Sequence, residues 1–192
     1  MMPEGTKGPP RIAERLRANR FDNMPPTTPS RASAFLAWLE ALSDWQFSGA
    51  LYLLRWAIVL PLGLILSPLS SSADTFQPEG NPWRYLIPFL VVAPAIETLI
   101  ECSVPYWVMY GMLNRQRRSP APFVVVSASI MVLLHPLTPV VMAMAFITGA
   151  FLAYVYFHFA AQGHLKAFFH TAVFHSAINV IGWTMILINA TA

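Results

Sequence analysis

The stretch that decides the fold of this chain is Val140–Ala160, VVMAMAFITGAFLAYVYFHFA, which has no charged side chain and is long enough to cross a bilayer as one helix. From Ser119 to Ala192 the only formally charged residue is Lys166. Of the 192 residues, 56% are hydrophobic and 11% are charged, against about 45–50% and about 25% in soluble domains. The sequence therefore predicts an integral membrane protein.

Apolar segments on both sides of this stretch predict an all-α fold, a polytopic transmembrane bundle of about five spans. The expected spans are 49–69, 83–112, 122–137, 140–160 and 166–190. The third span ends in His135-Pro136-Leu137-Thr138-Pro139, which cannot continue a regular helix. The single cysteine, Cys102, excludes an intramolecular disulfide framework.

The chain before the first span divides into two segments. Residues 1–30 are basic and rich in proline, a composition that predicts a disordered tail. Residues 31–47 place aromatic and aliphatic side chains at three- and four-residue steps, which predicts an amphipathic helix at the membrane interface. Residues 48–192 then form the transmembrane domain.

The loop charges predict the topology. Arg115–Arg118, Lys166 and the basic tail fall on one side, whereas Asp74 and Glu79 fall on the other. The positive-inside rule then places the N-terminus in the cytoplasm and explains the pI of 9.3 without nucleic-acid binding. No export signal or organelle address is evident, so we expect a bacterial inner-membrane protein whose partners are the lipid bilayer and a membrane-associated substrate. The oligomeric state is not fixed by the sequence.

Two carboxyl groups lie in the apolar second segment. Glu97 and Glu101 are four residues apart and project from one face of a helix. Neighbouring carboxyls in a low dielectric do not both ionise readily, so at least one can act as an acid or a base. The alternative is a structural pair that shares a proton or bonds a neighbouring helix. Glu97 is the primary candidate and Glu101 the secondary one.

Three further polar residues lie in apolar surroundings. His175 and Asn179 are spaced i, i+4, so both side chains leave the same face of the fifth span and can donate hydrogen bonds to a developing oxyanion. Interhelical hydrogen bonding is the alternative for this pair. His135 lies at the end of the third span, where it can act in catalysis or bond a carbonyl freed by Pro139.

Two other positions in the spans receive structural interpretations. Arg55 in the first span is expected to extend its guanidinium to the lipid headgroups, in preference to a role in gating or in binding substrate charge. Gly149 in the fourth span is expected to allow close helix packing.

The ordered set of Ala-Pro-Ala-Ile-Glu, Leu-Leu-His, a span glycine and His-x-x-x-Asn resembles the CPBP family of intramembrane proteases. That family, also called Abi, includes the CAAX-prenyl endopeptidases and bacteriocin-processing or self-immunity proteins. The resemblance covers about residues 83–185. Family members usually show Glu-Glu-x-x-x-Arg, then Phe-x-x-x-His, then His-x-x-x-Asn or Asp. The residues that match these motifs are Glu97, His135, His175 and Asn179.

The chain departs from the family pattern at three positions. Thr98 and Cys102 stand where the family has a Glu and an Arg, so both halves of a charge pair are absent together. Met131 stands at the aromatic position of the second motif. These departures bear on the orientation of the second span and on substrate selection more than on the chemical groups.

The resemblance implies an endopeptidase in which Glu97 and His135 activate a water molecule, while His175 and Asn179 stabilise the oxyanion. No cofactor is expected in this mechanism. A zinc site formed by Glu97, His135 and His175 is the alternative, because one Glu and two His are a ligand set for catalytic zinc. Regular spans would place His135 and His175 at different depths, and a re-entrant or broken third span would reconcile them.

Two other functions remain open. A non-catalytic member of the same family would bind a membrane peptide, for example as an immunity protein. A small proton-coupled transporter would use Glu97, Glu101 and His135 as a relay, although the sequence shows no inverted repeat.

Overall fold

The computed structural model describes residues 31–66, 68, 81–113, 119–135 and 138–191. Within these ranges the regular structure is helical and contains no strand. The predicted tail at 1–30 and the charged loop residues Asp74, Glu79 and Arg115–Arg118 lie outside the described residues, so the predicted topology stays a prediction.

The helices found within the described residues are α1 (Arg31–Glu40), α2 (Asp44–Leu66), α3 (Trp83–Met112), α4 (Ala121–Leu134), α5 (Pro139–Ala160) and α6 (His164–Thr191). By length and composition, α2, α3, α5 and α6 can each cross a membrane. The predicted all-α transmembrane bundle is therefore confirmed. Helix α4 has 14 residues, which at a rise of about 1.5 Å per residue gives about 21 Å, less than the hydrocarbon thickness of about 30 Å. The third predicted span is thus a short apolar helix.

The predicted helix at 31–47 is divided in two. Ser43 donates its Oγ–H and its backbone N–H to Oε1 of Gln46, at 2.9 Å and 3.1 Å. The bond from the Ser43 backbone N–H to the Gln46 side chain is typical of a helix start, because it satisfies a backbone donor that has no partner inside the helix. Residues 44–47 therefore belong to the first long helix, and α1 ends at Glu40. The interfacial placement of α1 stays a prediction.

Helix α3 is irregular because prolines interrupt its backbone hydrogen bonds. Pro88, Pro94 and Pro105 lack the N–H that a helical turn requires. Several turns are wider than an α-helical turn, and the N–H of Val104, for example, bonds the carbonyl of Leu99 five residues earlier. The helix thereby continues through its proline positions.

The ends of α2, α3, α4 and α6 meet at one end of the bundle, which we call the Asp44 end. Asp44, the first residue of α2, forms an ion pair with Lys166 near the start of α6. Tyr106, near the end of α3, packs its ring 5.4 Å from that of Phe123 in α4 and 5.3 Å from that of His164 in α6. Helices α2, α4 and α6 therefore run in the same direction from this end.

Helices α4 and α5 approach each other closely at Gly149. A Cβ atom added there would lie 2.7 Å from Cβ of Met131 and 3.0 Å from Cα of Ala128. Such a separation is shorter than non-bonded carbon atoms tolerate, so the two helices approach this closely only because residue 149 has no side chain. The predicted close-packing role of Gly149 is confirmed.

Candidate functional site

The central pair of the site is Glu97 and His175. Glu97 lies in the part of α3 that packs directly on α6, the helix that carries His175. Its Oε2 atom is 3.2 Å from Nε2 of His175. The histidine side chain is 3% exposed and the glutamate side chain 24%. The pair thus combines an enclosed histidine with a carboxylate that one side of the bundle leaves accessible.

Asn179 lies one helical turn beyond His175, as the i, i+4 spacing predicts, but its amide contacts the backbone of α3. Its Nδ2–H donates to the carbonyl of Phe89 at 3.0 Å. In the wide turn at this point the carbonyl of Pro88 accepts from the N–H of Ala93. The equivalent donor for the carbonyl of Phe89 would be residue 94, which is a proline and has no N–H. Asn179 therefore replaces a missing backbone donor.

His135 forms the C-terminal cap of α4. Its backbone N–H bonds the carbonyl of Val132, which leaves the Met131 carbonyl for the ring, and Nδ1 lies 3.0 Å from that oxygen. With Nδ1–H as the donor, Nε2 carries the lone pair. The ring lies within electrostatic range of both Glu97 and His175. The His135 ring therefore bonds a carbonyl of its own helix, one turn earlier. Glu97 is paired with His175 and not with His135.

The short length of α4 brings His135 to a depth similar to that of His175. His135 follows the last residue of α4, about 21 Å from the Asp44 end, and His175 lies about three turns into α6, about 16 Å from that end. A regular span of about 20 residues would have carried His135 to the opposite face of the membrane. The two histidines therefore lie at similar depths because α4 is short. The helix itself is continuous and has no break.

Glu101 is separate from the central pair. The segment Leu99–Ser103 packs against α4, α5 and α6, and the Glu101 side chain is fully buried. Neither of its carboxyl oxygens has a hydrogen-bond partner within the described part of the chain. Glu101 therefore has no hydrogen bond to a neighbouring helix among the described residues, and the alternative in which it shares a proton with Glu97 stays a prediction.

The prediction that Arg55 extends to the lipid headgroups is wrong. Arg55 is 5% exposed, and its Nη2 and Nε atoms donate to Oγ1 of Thr148 in α5 at 2.9 Å and 3.3 Å. The guanidinium turns inward because α5 presents a hydroxyl acceptor at this depth. Tyr52, one turn earlier on the same face of α2, also points into the bundle and donates its hydroxyl to the carbonyl of Ala177 at 3.2 Å.

No three His, Cys, Asp or Glu side chains are grouped as metal ligands among the residues that the structure describes. The zinc alternative with Glu97, His135 and His175 as ligands stays a prediction.

No protein-family model, no curated protein and no solved structure matches the chain. The resemblance to the CPBP family accordingly rests on the motifs given above.

Proposed function

We propose that this protein is an intramembrane endopeptidase of the CPBP type that hydrolyses a peptide bond in a membrane-associated protein or peptide. The observation that carries the proposal is the hydrogen-bonded pair of Glu97 and His175, with Oε2 and Nε2 3.2 Å apart, inside apolar helices. An ionisable pair is expensive to keep in a membrane segment, and such residues commonly mark a functional site.

Glu97 is the general base in this proposal. His175 donates Nε2–H to Oε2, which fixes the carboxylate and leaves Oε1 for a water molecule. Glu97 takes a proton from that water, and the hydroxide oxygen bonds to the carbonyl carbon of the substrate while the carbonyl π electrons move to oxygen. The tetrahedral intermediate then breaks its C–N bond, and the leaving nitrogen takes the proton from Glu97. Water is consumed and the carboxylate is regenerated.

His135 and Asn179 have supporting roles. His135 lies close enough to Glu97 and His175 to influence the charge that develops between them. Asn179 uses one amide N–H on Phe89 and thereby keeps α3 in register with α6. Its second amide N–H is the one that can assist at the substrate carbonyl.

The substrate class follows from the position of the pair. His175 lies about 16 Å from the Asp44 end along a helix that can cross a membrane, so the scissile bond must enter the apolar bundle. A peptide in or beside the bilayer meets this requirement. The positive-inside pattern of the loop charges supports a cytoplasmic N-terminus, and the bacterial inner membrane is the compartment that we propose.

The test compares membrane-protein N-termini in cells that express the wild type, Glu97→Gln or Glu40→Gln. Glu40→Gln is the matched control because this carboxyl is exposed at the end of α1. Mass spectrometry should find new N-termini in or next to membrane segments with the wild type and the control, and none with Glu97→Gln. Identical sets in all three strains would refute the proposal. A protein that co-purifies uncut with the wild type would instead support the non-catalytic binder.

A further inference from the structure

Arg55 is a buried cation that has no acidic partner in the part of the chain that the structure describes. It is 5% exposed, and its hydrogen bonds go to the neutral hydroxyl of Thr148. Among the described residues it forms no ion pair, and its Nη1 atom has no hydrogen-bond partner. Buried charges are ordinarily paired, because removal from water is costly unless a counter-charge replaces it. The Arg55 guanidinium carbon lies 4.4 Å from the centre of the Trp56 ring, but none of the described carboxylates pairs with it, so its position calls for an anion.

The depth of Arg55 matches that of His175. Helices α2 and α6 begin together at the ion pair of Asp44 with Lys166. Arg55 lies about three turns into α2 and His175 about three turns into α6, so each is about 16 Å from the Asp44 end.

Arg55 and His175 also lie on parts of α2 and α6 that are in contact. Tyr52 of α2 joins the two helices at Phe174 and Ala177, which precede and follow His175 in the sequence. The Tyr52 hydroxyl bonds the Ala177 carbonyl at 3.2 Å, and its ring packs edge-on against Phe174 at 6.1 Å. Arg55, one turn further along α2 on the same face, lies within electrostatic range of His175.

The two donors expected for the oxyanion are largely engaged elsewhere. Nε2 of His175 is bonded to Glu97, and Nδ2 of Asn179 is bonded to the carbonyl of Phe89. The unpartnered Nη1 of Arg55 is a charged donor at the same depth. A charged donor in a water-poor site stabilises a developing anion more strongly than a neutral one.

We propose that Arg55 is a further catalytic residue, whose Nη1–H binds the oxyanion formed on the substrate carbonyl. This inference rests on the proposed peptidase function and adds to it a cationic group contributed by the first span. Since the anion exists only after water has attacked, Arg55 should act on the catalytic step more than on substrate binding.

The experiment measures cleavage in proteoliposomes of a peptide identified by its loss of processing in Glu97→Gln cells. The variants are Arg55→Gln, Arg55→Lys and the control Arg84→Gln, which removes an exposed arginine at the start of α3. Arg55→Gln should lower kcat by about 10²–10³-fold with KM little changed. Arg55→Lys, which keeps the charge but loses the forked geometry, should fall between Arg55→Gln and the wild type.

A second measurement keeps the inference testable if Arg55→Gln is poorly folded. A phosphinic analogue of the same peptide carries a tetrahedral anion, so its affinity for Arg55→Lys should fall much more than the affinity of the uncleaved peptide. An unchanged kcat in folded Arg55→Gln would overturn the inference. A rise in KM at constant kcat would also overturn it, because Arg55 would then bind a charge of the substrate itself. If Glu97→Gln cleaves as the wild type does, the proposed function fails independently of Arg55.

Discussion

The side-chain amide of Asn179 donates to the carbonyl of Phe89 across 3.0 Å, at the one place in this turn of α3 where Pro94 removes the backbone donor. The proline therefore creates an acceptor, and a residue on another helix satisfies it. Since Glu97 lies three residues after Pro94, and His175 one turn before Asn179, this bond fixes the register of Glu97 against His175.

A double-mutant cycle tests this relationship. Asn179→Ala should lower the free energy of unfolding by about 1 kcal/mol, because a buried carbonyl loses its donor. Pro94→Ala supplies a backbone N–H at that position, so Asn179→Ala should cost less in the Pro94→Ala background. Equilibrium unfolding in mixed micelles measures both values. Ser176→Ala is the control, because its hydroxyl bonds a carbonyl within α6. An equal cost in both backgrounds would show that Pro94 does not create the acceptor.

Gly149→Ala should separate α4 from α5. The added Cβ would lie 2.7 Å from Cβ of Met131, and overpacking of this kind typically costs about 1–3 kcal/mol. Because the Met131 carbonyl holds the His135 ring, peptide cleavage should fall together with the melting temperature. Gly49→Ala is the matched control, since nothing lies within 4 Å of its added Cβ. If both variants melt at the wild-type temperature, the described approach of the two helices is incorrect.

Glu101→Met should stabilise the protein. Glu101 is fully buried and its carboxyl oxygens have no partner among the described residues, so a side chain of similar size without polar oxygens removes an uncompensated desolvation cost. A higher melting temperature in detergent, with cleavage still present, is the expected result. Loss of cleavage in a well-folded Glu101→Met protein would place Glu101 in the catalytic machinery.

Tyr52→Phe should weaken the contact of α2 with α6. The substitution removes the hydroxyl donor to the Ala177 carbonyl but keeps the ring against Phe174. Hydrogen bonds between membrane helices contribute about 0.6–2 kcal/mol, and a decrease of this size should appear in unfolding experiments. Thr184→Val, which removes a hydroxyl bonded to a carbonyl of its own helix, provides the comparison. A decrease no larger than that of Thr184→Val would speak against a stabilising role for the Tyr52 bond.

The sequence predicts the helical class and the helix faces that carry the candidate residues, because these depend on local properties. Long apolar runs specify the four described helices that can cross a membrane, and the i, i+4 spacing places His175 and Asn179 on one face. The short span before His135 is also visible in the sequence, because Pro136 and Pro139 follow it within four residues and a regular helix does not continue there.

The partners of these residues could not be predicted, because each partner comes from a distant part of the chain. Asn179 bonds a carbonyl 90 positions away, and Arg55 bonds a hydroxyl 93 positions away. Whether a span arginine turns toward lipid headgroups or inward depends on which acceptor another helix presents at its depth. That information lies in tertiary packing and leaves no local pattern.

The pairing of Glu97 with His175 as the group that activates water is tested most directly in proteoliposomes with a cleavable membrane peptide. The rates to compare are those of the wild type, Glu97→Gln, His175→Ala and the exposed-carboxyl control Glu40→Gln, all at matched incorporation and with folding verified by melting temperature. We expect the wild type and Glu40→Gln to cleave at similar rates, and the two site variants to lose at least about 10²-fold in kcat. Cleavage by either folded site variant at the wild-type rate would contradict the pairing.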